Sequence, residues 1–96
     1  MTLYRARMQS YDDGNEGVYN FEERADLMKR PADDVVKAFL DYAGRAIFEG
    51  DDVSYELNGV MKHAPEDVVV GMGTLYRNGH EQGMPFTVII NPAKLG

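Results

Sequence analysis

One segment limits the folds open to this chain more than any other: "RPADDVVKAFLDYAGRAIFEG", residues 30–50. At 100° per residue, Val35, Val36, Phe39, Leu40, Tyr42, Ala43, Ala46 and Ile47 fall within an arc of roughly 160°. Pro31 suits the first helical position, and Asp33 and Asp34 sit where the helix dipole favours anions. Asp33/Lys37 and Asp41/Arg45 are spaced as i,i+4 pairs on the opposite side, and Gly50 serves as a stop. The spacing predicts a helix over 31–48, with Phe48 stranded on its polar side.

A lone amphipathic helix cannot bury its apolar stripe, so a second layer has to come from the rest of the chain. Residues 3–10 alternate, with Tyr4, Ala6 and Met8 on one side and Arg5, Arg7 and Gln9 on the other, as in a half-buried strand. After the turn-rich "YDDGNEG", alternation resumes over 18–29, with Tyr19, Phe21, Ala25 and Leu27 on the apolar side. Beyond the helix, "DVSYELNGVMK" sets Val53, Tyr55, Leu57 and Met61 against Ser54, Glu56, Asn58 and Lys62. "DVVVGMGTLYR" and "MPFTVII" are rich in β-branched and aromatic residues. The expectation is an α+β two-layer sandwich in the order β-β-α-β-β-β, its one helix packed on a mainly antiparallel sheet. Ninety-six residues make a single domain, 1–96, with 92–96 a loose tail. Tyr11, Phe48, Val60, Val69 and Leu75 are the apolar residues expected outside the main core.

"GMGTLYRNGH", residues 71–80, has the look of a phosphate loop and fails its test. Tyr76 stands where a dinucleotide fingerprint needs its third glycine, and a strand rather than a helix follows. Gly71 and Gly73 instead share one side of a strand, where a sheet admits a crossing helix or bends at a bulge. Asn78-Gly79 is a hairpin-turn signal. "DDGNEGVYNFEE" matches an EF-hand calcium loop at Asp12, Glu16, Gly17 and Glu23, but its third position is Gly14 and its flanks read as strands. His63 and His80 lie beside different turns, and Ser10 and Ser54 stand in no nucleophile elbow. Adjacent acids on a strand face opposite sides, so pairs such as Glu22/Glu23 do not converge on one substrate. With no cysteine in the chain, thiolate metal sites and cysteine nucleophiles are excluded. These readings imply no cofactor and no metal.

Sixteen acids against ten bases give a net charge of −6, which disfavours direct contact with nucleic-acid phosphates. No run of about 18 apolar residues is present, so the expected setting is cytoplasmic and not membrane-inserted. Tyrosine and methionine are enriched at protein interfaces. Tyr4, Tyr19, Tyr42 and Tyr55 fit inward positions, leaving Tyr11, Tyr76 and Met84 as candidates for a contact surface. The leading expectation is a non-enzymatic protein-binding module or homo-oligomer acting through a sheet face or edge. An acidic inhibitor of a nucleic-acid-binding protein, working through Glu49, Asp51, Asp52, Glu66 and Asp67, is the second. A small enzyme or ligand-binding domain with a helix–sheet pocket near Gly71 and Gly73 is the third.

Overall fold

The computed structural model describes residues 2–10, 16–24, 26–63, 66–79 and 82–93. Five strands, β1 (Thr2–Ser10), β2 (Glu16–Glu23), β3 (Val53–His63), β4 (Val68–Arg77) and β5 (Met84–Pro92), form one sheet in the order β2-β1-β5-β4-β3. Every neighbouring pair is antiparallel. The helix α1 (Ala32–Ala46) packs across β3, β4 and β5. This is the expected two-layer α+β arrangement, with the last strand in chain order at the centre of the sheet.

Inner faces follow from the alternation. One row across all five strands reads Tyr19, Ala6, Ile90, Val69, Lys62, and the next reads Gly17, Met8, Val88, Gly71, Val60. Against them α1 buries Val35, Val36, Phe39, Leu40 and Ala43. A helix is only about 10 Å wide, whereas five strands span roughly 19 Å between outer axes. Rings close the remaining gap. Phe21 of β2 lies 5.6 Å from Tyr4, 5.7 Å from Phe39 and 5.7 Å from Tyr42, centroid to centroid.

The sequence pattern fails at β2. The strand stops at Glu23, and Leu27–Lys29 forms a single 3-10 turn in which Leu27 and Met28 are buried. Asp26 caps that turn, its carboxylate accepting the Met28 N–H at 3.2 Å. The buried Tyr4 hydroxyl accepts the Leu27 N–H at 2.9 Å. An unmade bond at such a buried amide would cost about 1–3 kcal/mol, which favours the turn over a continued strand. Lys62 reaches in from β3 to the Met28 carbonyl and ties the turn's other side.

Other boundaries move for local reasons. Pro31 is the N-cap of α1 rather than its first helical residue, and α1 closes at Ala46, where the N–H groups of Ile47 and Phe48 both reach the Ala43 carbonyl at 2.9 Å. Phe48 leaves the helix and half-buries against the core beneath Arg77, whose guanidinium carbon lies 5.0 Å from the ring centre. Val69 and Leu75, expected outside the core, are buried within it, and Val60 packs partly against it. Pro92 belongs to β5 opposite Tyr4 rather than to a tail, and the Ala93 N–H bonds the Leu3 carbonyl at 2.9 Å. Asn78 and Gly79 both have positive φ, 56° and 73°, just past β4 where the chain turns toward its antiparallel partner β5.

Gly71 and Gly73 do the two jobs expected of them. A β-carbon on Gly71 would stand 2.7 Å from Val36 Cγ2, so the glycine is what lets α1 lie this close to β4. On Gly73 it would strike the Glu56 carbonyl of β3, beside the register shift between Leu57 and Gly59. Gly71→Ala should therefore lower unfolding free energy by about 1–3 kcal/mol, and part of that loss should vanish in a Val36→Ala background. Gly44→Ala, where nothing lies within 4 Å, should instead stabilise by about 0.5–1 kcal/mol. Urea unfolding of Gly71→Ala, Val36→Ala, their double variant and Gly44→Ala checks both directions.

Candidate contact surface

With the inner face filled, the opposite face of the sheet becomes the surface to explain. Among the described residues it carries Leu3, Arg5, Arg7 and Gln9 from β1 and Val18, Asn20 and Glu22 from β2. Beside them lie Pro85, Thr87, Ile89 and Asn91 from β5, Val68, Val70, Met72, Thr74 and Tyr76 from β4, and Ser54, Glu56, Met61 and His63 from β3. The strand registers align one row across the whole sheet: Val18, Arg7, Ile89, Val70, Met61. Met72 sits in the next row, beside Thr87. Val18, Met61, Met72 and Ile89 are 53%, 61%, 53% and 40% exposed, an unusual gathering of large apolar side chains on one plane.

Met61 reaches this face only because of the irregularity in β3. Alternation from Val53 through Leu57 places Met61 inward and Lys62 outward. The register shift between Leu57 and Gly59 reverses both, so Met61 pairs with outward Val70 and Lys62 with buried Val69. No count of alternating residues reveals this. The "NG" at Asn58-Gly59 is the one local sign of it.

The sequence-predicted contact residues do not come together. Tyr76 is half-buried on the outer face of β4, at the end occupied by Ser54. Met84 lies on the helix side, opposite Leu75 and packed on the core. Tyr11 lies outside the described residues, as do His80 and the turn over 11–15. Gly83 closes over Tyr76, where a β-carbon would stand 2.8 Å from the ring.

The acidic residues also divide. Glu49, Asp51 and Asp52 precede β3, whereas Glu66 and Asp67 follow it, so the strand's 11 residues hold the two groups roughly 33 Å apart. Asp51 is already engaged. It accepts from Arg77 Nε at 3.1 Å and from Asn78 Nδ2 at 3.3 Å, while Asn78 Oδ1 takes the Asp52 N–H at 3.0 Å. These contacts pin the α1–β3 connection to the end of β4. The Arg77 hydrogen bond, then that of Asn78, holds the Asp51 carboxyl below its ordinary value of 3.8. Glu66 faces His63, Nδ1 to Oε2, at 3.7 Å on an exposed corner.

Where a helix–sheet pocket was envisaged, Val36 fills the space over Gly71 and Phe86 borders Gly73. Depressions lie elsewhere. One of about 250 Å³ opens on the outer face between Arg5, Arg7, Ile89 and Asn91. Another of about 290 Å³ runs between Glu23, Leu27 and Arg30 and the Asp34–Asp41 flank of α1. On the inner side, burial and then the Asp41 charge push the Tyr55 phenol up from its ordinary value. Among the described residues no three His, Cys, Asp or Glu side chains converge as metal ligands, and no helix is long and apolar enough to cross a membrane. None of the protein-family models, curated proteins or solved structures compared with this chain matches it.

The Asp51 cluster sets a pH dependence. A carboxyl depressed in the fold stabilises it above the unfolded value and ceases to do so as pH falls through the folded one. Asp51→Asn should therefore be less stable than the parent at pH 7, with the two curves converging below about pH 4. Thermal unfolding followed across the acid range would show the convergence.

Proposed function

We propose that this chain is a non-enzymatic protein-contact module that works through the outer sheet face. The supporting observation is the row Val18, Arg7, Ile89, Val70, Met61, which sets four apolar side chains across five strands on a plane no element of the described chain covers. Interfaces of this kind combine an apolar centre with a polar rim. Here Asn20, Glu22, Glu56 and Asn91 supply the rim. The reading as an acidic inhibitor draws less support, because the acids meant to form one stripe lie at opposite ends of β3, and Asp51 is committed to Arg77.

Ile89 and Met72 are exposed, so lysine at either position disturbs the face and not the core. An immobilised wild-type chain should retain its protein partner, whether another protein or another copy. Ile89→Lys and Met72→Lys should each lose most of that binding while circular dichroism stays unchanged. Retention that is indifferent to both substitutions would remove the outer face as the working surface.

A further inference from the structure

We infer that the occupant of the outer face is a second copy of this chain, stacked face to face about a two-fold axis that runs along β5. The inference rests on the outer face being the contact surface and names its partner.

Three observations carry it. The first is symmetry. β5 is the central strand of five, so a two-fold axis along it lays β1 of each copy on β4 of the other and β2 on β3. Under that operation the exposed row matches itself, with Val18 over the partner's Met61, Arg7 over the partner's Val70, and Ile89 over the partner's Ile89. An isologous interface has this form, one patch meeting its own copy, and the pairings it produces at the centre and at both edges of the row are apolar.

The second is charge. The chain carries −6, yet among the described side chains the outer face holds two cations, Arg5 and Arg7, and two anions, Glu22 and Glu56. The described part of this face is therefore near balance, against −6 for the whole chain. Two copies approaching by a face richer in acid would meet like charge, which costs encounter rate and affinity.

The third is area. Five strands about 4.8 Å apart and nine residues at about 3.3 Å each present roughly 700 Å², near the 800 Å² or so that each partner contributes to a standard interface. Two such faces pack as sandwich layers about 10 Å apart with strands within about 30° of parallel. The chain then becomes a four-layer assembly, helix–sheet–sheet–helix, with the exposed methionines inside.

Sedimentation velocity of the full chain, from low to high micromolar concentration, is the test. The expected result is a species of twice 10.8 kDa that Ile89→Lys and Met72→Lys each convert to monomer without change in circular dichroism. Cysteine chemistry gives a second readout, since the chain has none of its own. A short bis-maleimide should link two copies of Ile89→Cys, whose positions meet on the axis. Ser54→Cys should not link, because two strands on each side of the axis hold those positions roughly 19 Å apart laterally. A wild-type monomer at every concentration overturns the self-pairing; loss of a different protein's binding in the same lysine variants would then leave the contact-surface reading standing. A dimer that survives both lysine variants overturns the inference and the contact surface together.

Discussion

The structure depends on how near one helix can come to its sheet. Val36 sits directly on Gly71, and the missing β-carbon there sets the spacing between the layers. That close approach brings Phe39 and Tyr42 down to the level of Phe21 and Tyr4, so rings from β1, β2 and α1 form one continuous cluster. A larger residue at 71 would lift the helix, and the rings would lose the tilted contacts that aromatic pairs favour. The 3-10 turn belongs to the same arrangement. It carries Leu27 and Met28 into the core, held by a tyrosine hydroxyl on one side and a lysine on the other.

Much of this was legible in the sequence because the controlling signals are local. The 3.6-residue period after Pro31, the two-residue period of each strand and the paired glycines of β4 each report on their immediate surroundings. What escaped is long-range. The Tyr4–Leu27 hydrogen bond joins residues 23 apart, and nothing near Leu27 distinguishes a strand residue from one in a capped turn. Phe48 fitted no helical face because it belongs to none; its partner is Arg77, far along the chain. Val69 and Leu75 seemed expendable only while the strand order was unknown. With β4 second from an edge and roofed by α1, they lie under the helix.

The candidate surface was the least legible part. Its defining row takes one residue from each strand, so it exists only once the order β2-β1-β5-β4-β3 and every register are fixed. One end of the row depends further on a single irregularity, without which Met61 would face inward. Tyrosine and methionine were sound interface candidates by composition, but Tyr76 and Met84 lie on opposite faces of the sheet. Chemistry alone could not tell which face each would occupy. The acidic residues teach the same lesson, since closeness in the sequence around β3 becomes separation by the length of that strand.

The central place of β5 also governs the order in which the molecule is assembled. Until Met84 and the residues after it have emerged from the ribosome, the chain can build only two separate ribbons, β1 with β2 and β3 with β4, and isolated two-stranded ribbons are marginal in water. Joining them means closing a loop of roughly eighty residues between β1 and β5, the kind of distant pairing that makes folding slow. Two ribbons that are unstable apart become one body only when β5 pairs with β1 and β4 at once, a keystone laid between two halves.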